Sequence, residues 1–110
     1  MSDRNALHTA VDRLAGRLRA LPQRRLQGGA AAEARELAGW LTRQAQALEA
    51  PGASPHELPD DGIYTVGDQL AVAGHDLALA LASGDIGAGR RAAVTSDALA
   101  RLARASKSIG

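Results

Sequence analysis

Apolar side chains recur at helical spacing in four separate stretches of the chain. In residues 3–21 they follow one another at intervals of three and four, which places them on one face of a helix. The same spacing returns in residues 30–50, 65–82 and, less regularly, 88–107. The pattern predicts an all-α protein. The connection lengths favour an antiparallel four-helix bundle, formed by residues 1–110 as a single domain.

Each predicted helix has its own set of residues that we expect to face the core. In order along the chain, the four sets are Leu7, Val11, Leu14, Leu18 and Leu21; Ala34, Leu37, Leu41, Ala45 and Leu48; Ile63, Val66, Leu70, Ala73, Leu77 and Leu81; and Thr95, Ala98, Leu99, Leu102 and Ile109.

Glycine and proline mark the connections between the predicted helices. The pair Gly28-Gly29 predicts a turn between the first two helices. Residues 51–62 carry prolines and glycines and predict the longest connection. Thr65, followed three residues later by Asp68, predicts a capping box at the start of the third helix.

The third helix differs from the others because it has apolar residues on a second side. Val72 and Leu79 project away from its core-facing side, between the polar residues Asp68, His75 and Asp76. A second apolar side needs a second neighbour to cover it. We therefore expect these five residues to bind a partner, which is either a second copy of the chain or another protein.

Small residues occupy the space between these two apolar sides of the third helix. Gly67, Ala71, Gly74 and Ala78 leave that side with almost no side-chain bulk, so that another helix can approach closely. A glycine inside a helix costs about 1 kcal/mol relative to alanine, which suggests a packing reason for the two glycines. The approaching helix belongs either to the same chain or to a partner.

The composition indicates a thin core. The chain is rich in alanine, which buries little area, and contains no phenylalanine. Association with another chain would add buried area, so a homodimer or a complex with a protein partner is expected. Trp40 lies about 90° from the centre of the second helix's core-facing side. It either covers a gap between helices or anchors the partner.

Charge is distributed unevenly although the formal net charge is only +1. Basic residues dominate the first and last parts of the chain, and acidic residues dominate the middle. In an up-down bundle, basic helix 1 would lie beside acidic helix 2. Helices 1 and 4 would also be neighbours and form a basic edge. As an alternative function, this edge would bind nucleic acid or another anionic ligand through Arg13, Arg17, Arg24, Arg90 and Arg91.

The sequence shows no pattern typical of catalysis or of a cofactor. His8, His56 and His75 lie on separate elements without ligand-spaced partners, and the chain has no cysteine. No catalytic residue, metal, cofactor or small-molecule substrate is therefore expected. An enzyme would need a polar pocket assembled from distant residues such as His75, Asp76 and Arg91.

Membrane insertion and secretion are also not indicated. No run approaches the roughly 20 apolar residues that a membrane span requires, and the first residues lack the apolar core of a secretory signal. We therefore expect a cytoplasmic location. Taken together, these features predict a non-catalytic interaction or regulatory module that associates through its third helix.

Overall fold

A computed structural model describes residues 3–49, 65–83 and 85–109 of the chain. Its four long helices, numbered here in chain order, are α1 (Asp3–Ala20), α2 (Ala31–Glu49), α3 (Val66–Leu81) and α4 (Ala88–Ile109). Each begins and ends within about two residues of the position predicted from periodicity. The predicted all-α four-helix bundle is confirmed. The connection predicted at residues 51–62, with His56, and the core position Ile63 lie outside the described residues.

The bundle is built on α1 and α2, because α3 and α4 each pack against both of them. The neighbours of α1 are thus α3 and α4 rather than α2, which differs from the arrangement expected for a simple up-down bundle. The contact of α1 with α4 agrees with expectation. The basic helix α1 is therefore paired with the acidic helix α3, and Arg19 of α1 forms an ion pair with Asp68 of α3.

Close contacts give the direction of each helix. Gly67 of α3 lies near Ala15 of α1, and Gly74 lies near Val11, so these helices run in opposite directions. The same holds for α2 and α4, since Trp40 contacts Arg101 and Glu33 binds Ser108.

Two contacts give the direction of α4 relative to α1. In the first, Arg17 of α1 donates a hydrogen bond to the carbonyl oxygen of Ser106 of α4. Both residues lie near the C-terminal ends of their helices. The start of α4 lies beside the C-terminal end of α3, where Arg91 binds Leu81. Because α3 is antiparallel to α1, this is also the end at which α1 begins. Helices α1 and α4 therefore run in the same direction.

The core follows the predicted helix faces closely. Every predicted core residue in the described ranges is buried, except that Leu21, Leu48 and Leu99 are half-buried and pack against the core. Ala15 and Ala38, which the predicted core-facing sets did not include, are also fully buried. Because alanine side chains are small, each of them adds little buried apolar area to the core.

The connection between α1 and α2 is more helical than the glycine pair predicted. A short helical turn, Gln23–Arg25, continues into a wider turn, Leu26–Ala30, which leads directly into α2. Gly29 has a φ of 128° inside this segment, a conformation that favours glycine. The chain thus leaves helical geometry at Pro22, which has a ψ of 152°, and again at Gly29, while Leu26 between them remains buried in the core.

The predicted capping box at the start of α3 is wrong. Thr65 occupies the N-cap position, but its backbone has helical dihedral angles, φ −101° and ψ −2°, and its side chain makes no cap hydrogen bond. An N-cap residue usually has extended backbone geometry, which aims its oxygen at the free N–H groups. Asp68 instead accepts hydrogen bonds from Arg19 Nε and Nη2 at 3.0 and 2.7 Å.

Candidate interaction surface

The small-residue side of α3 packs against α1 of the same chain. A Cβ atom on Gly67 would lie 3.1 Å from the carbonyl oxygen of Ala15, and one on Gly74 would lie 2.4 Å from Cγ2 of Val11. Ala78 is fully buried on the same side. Of the two neighbours allowed by the sequence, the approaching helix is thus the intramolecular one, and it fixes how α3 is rotated about its axis.

This rotation directs Val72 and Leu79 outward. They are 59% and 64% exposed, and they are the exposed large hydrophobic residues of the described part of the chain. They lie seven residues apart, which is about 10.5 Å along the helix axis. With Asp68, His75 and Asp76 they form what we call the outer strip, a narrow apolar line with polar residues on both sides.

Two polar residues of the outer strip are attached to α1. Asp68 is bound by Arg19, and Nε2 of His75 lies 2.7 Å from Oδ1 of Asp12. The His75 ring also packs against the His8 ring, with centroids 4.8 Å apart. These contacts hold the polar residues beside the apolar line. Asp76 is exposed.

Trp40, predicted as a sixth partner-binding residue, does not belong to the outer strip. It is half-buried on α2 and faces α4, where the guanidinium carbon of Arg101 lies 4.3 Å from the ring centroid. Trp40 therefore covers a gap between two helices, which was one of the two roles expected for it.

The five arginines proposed for anion binding do not form one basic surface. Arg17 binds the carbonyl oxygen of Ser106 and also contacts its hydroxyl group, whereas Arg13, Arg24 and Arg90 are exposed. The segment with Arg24 lies at the C-terminal end of α4, because the adjacent Arg25 binds the carbonyl oxygen of its last residue. Arg90 lies at the opposite end, and the helix between these positions is roughly 27 Å long.

The fifth of these arginines, Arg91, lies at the C-terminal end of α3 and forms hydrogen bonds there. It donates to the carbonyl oxygens of Leu81, Ser83 and Ile86 at 2.7, 2.8 and 3.2 Å. Like Arg17 at Ser106, it binds a carbonyl group in the last turn of a helix, here Leu81, where such groups lack partners within their own helix. The structure therefore gives this basic edge no specific support as an anion-binding surface.

The described ranges show no cluster of side chains typical of a metal site. They contain no group of three or more His, Cys, Asp or Glu residues placed to hold a metal ion. His75 is bound to Asp12, and Arg91 is bound to three carbonyl groups, so these two side chains are not directed toward a shared pocket. Among residues 3–49, 65–83 and 85–109, no helix has the length and apolarity needed to cross a membrane.

Comparison with family models, with curated proteins and with solved structures found no match for this chain.

Proposed function

We propose that this protein is a non-catalytic interaction module that forms a homodimer through the outer strip of α3. The observation that carries the proposal is the outward position of Val72 and Leu79 on a helix whose other sides are packed against α1 and α2. Large apolar side chains that are more than half exposed and aligned on one helix face are typical of a contact surface.

The polar residues of the strip favour a second copy of this chain in a parallel arrangement. At 100° per residue, His75 and Asp76 lie about 50° to either side of the line through Val72 and Leu79. If two α3 helices pair in the same direction, each His75 lies beside Asp76 of the second copy. If they pair in opposite directions, the two Asp76 carboxylates face each other and repel. Parallel pairing thus makes the strip complementary to itself.

The expected affinity is modest. A symmetric dimer would cover Val72 and Leu79 of both copies, and each side chain contributes about 1 to 2 kcal/mol because it is already partly buried. Association costs at least about 4 kcal/mol in lost freedom of motion. The net gain is therefore at most about 4 kcal/mol, and we expect a dissociation constant in the millimolar range, which requires measurements at high protein concentration.

Sedimentation equilibrium from about 0.1 mM to about 5 mM tests the proposal, since this interval covers the expected affinity. The wild type should approach twice the 11.3 kDa mass of one chain as concentration rises. Leu79→Asp should remain monomeric because it places a charge in the apolar contact. Ala103→Asp is the matched control, since it adds the same charge at an exposed position on α4 and should still dimerise.

A wild type that remains monomeric at about 5 mM, or a Leu79→Asp variant that dimerises as well as Ala103→Asp, would contradict the homodimer. If the homodimer is contradicted, the next candidate to bind the outer strip is a partner protein whose helix is both apolar and basic, because the strip carries two aspartates.

A further inference from the structure

A concave surface lies between α2 and α4, the two helices that contact each other around Trp40. This groove has a volume of about 330 Å³ and is lined on its apolar part by Leu37, Trp40 and Ala105. Its volume is within the range of small-ligand sites, which run from roughly 300 to 1,000 Å³. It is separate from the outer strip, because it is formed by other helices.

Three guanidinium groups line the same groove. Arg101 is positioned by its stacking on Trp40 and by Asp97, whose Oδ1 lies 3.2 Å from Arg101 Nε. Arg43 follows Trp40 by one helical turn on α2, and Arg104 follows Arg101 by one turn on α4. Neither Arg43 nor Arg104 forms an ion pair with another residue of the described ranges.

The two ends of the groove differ in charge. Glu33 and Glu36 line one end, and Glu33 accepts a hydrogen bond of 3.0 Å from the Ser108 hydroxyl. Because α2 and α4 are antiparallel, Arg104 lies toward these glutamates. Arg43 and Arg101 lie toward the Trp40 end, which has no acidic residue in its lining. The groove therefore has a cationic end next to an apolar floor.

We propose that this groove binds a small aromatic anion, whose carboxylate or phosphate lies between Arg43 and Arg101 while its ring contacts Leu37 and Trp40. Guanidinium groups bind both kinds of oxyanion through charge-assisted hydrogen bonds. A flat ring gains contact area on the apolar floor and on the edge of the tryptophan. The site is open and small, so the dissociation constant should be in the low millimolar range.

Trp40 provides a direct signal for binding, because it is the only tryptophan of the chain and gives a single indole N–H resonance in ¹H–¹⁵N spectra. Benzoate and phenyl phosphate are the test ligands, while benzyl alcohol and inorganic phosphate supply the ring alone and the anion alone. The indole resonance should shift saturably with benzoate, with phenyl phosphate or with both. Which of them binds decides between a carboxylate and a phosphate ligand, and either result supports the site.

Arg43→Gln should weaken binding about tenfold because it removes one charge-assisted hydrogen bond. Arg24→Gln, at an exposed arginine of the Gln23–Arg25 turn, should bind as the wild type does. Leu79→Asp should bind the aromatic anions as tightly as the wild type does, which distinguishes binding at this groove from dimerisation. The proposal is overturned if neither aromatic anion gives a saturable shift, if benzyl alcohol or inorganic phosphate binds as tightly as they do, or if Arg43→Gln has no effect.

Discussion

Val11 of α1 lies so close to Gly74 of α3 that a Cβ atom on Gly74 would be 2.4 Å from Cγ2 of Val11 and 2.6 Å from Cγ1. Real side chains do not approach this closely, so glycine is required for the observed distance between the two helices. Gly74 lies about 160° around the helix from Val72. The contact that brings α3 against α1 is therefore also the contact that directs Val72 toward solvent.

Replacement of Gly74 by alanine should destabilise the fold. The added methyl group must displace Val11 or separate α1 from α3, and overpacking of this kind costs about 1 to 3 kcal/mol. Gly16→Ala is the matched control, because Gly16 lies inside α1 with no atom within 4 Å of an added Cβ. It should raise stability by up to about 1 kcal/mol through helix propensity alone. Urea unfolding of both variants checks this, and equal stabilisation of the two would contradict the close contact.

The helices and the core were predictable from sequence because their signals are local. The repeat of Leu70, Leu77 and their neighbours fixes which side of α3 faces inward without reference to any other helix. The same periodicity left Val72 and Leu79 as a second apolar side, and their exposure agrees with that pattern.

Contacts between distant segments could not be predicted in this way. Arg91 looked like any other basic residue of α4, yet it binds the end of α3, because the short connection returns the chain to that point. The groove at Trp40 likewise depends on the register of α2 against α4, which brings Arg101 over the ring. The sequence indicated this groove only through the position of Trp40 at the edge of the core-facing side of its helix. That position predicted a gap between helices but did not show which helices form it.

Arg91 and its neighbour Arg90 should differ sharply when each is replaced by alanine. Arg91 is half-buried and donates to the carbonyl oxygens of Leu81, Ser83 and Ile86, so Arg91→Ala should lower stability by about 1 to 3 kcal/mol. Arg90 is exposed, and Arg90→Ala should change stability by less than about 0.5 kcal/mol. Thermal unfolding of the two variants measures the difference. Equal effects would mean that the guanidinium of Arg91 does not stabilise the end of α3.

Gly28 and Gly29 provide a second matched pair, in the connection between α1 and α2. Gly29 has a φ of 128°, and an alanine there should cost about 1 to 3 kcal/mol in backbone strain. Gly28 lacks a positive φ, and no atom lies within 4 Å of an added Cβ, so Gly28→Ala should be neutral or slightly stabilising. Chemical unfolding distinguishes them. A tolerated Gly29→Ala would show that the chain changes direction elsewhere in the segment.

The direction of pairing between two α3 helices can be tested with engineered cysteines, because the chain contains none of its own. In the parallel arrangement, Val72 of one copy faces Val72 of the other, so Val72→Cys alone should form a disulfide-linked dimer under mild oxidation. In an antiparallel arrangement the two Val72 positions would be offset by about 10 Å, beyond the Cα separation of roughly 7 Å that a disulfide spans. Cross-linking would then need an equal mixture of Val72→Cys and Leu79→Cys chains.

Non-reducing electrophoresis of each single variant and of the mixture therefore separates the two arrangements. Each single variant should cross-link efficiently, because the parallel register sets His75 beside Asp76 of the second copy, whereas the antiparallel register sets two aspartates together. A Ser96→Cys variant, exposed on α4, measures random collision between chains. If only the mixture exceeds that level, the helices pair in opposite directions and the proposed role of His75 is wrong.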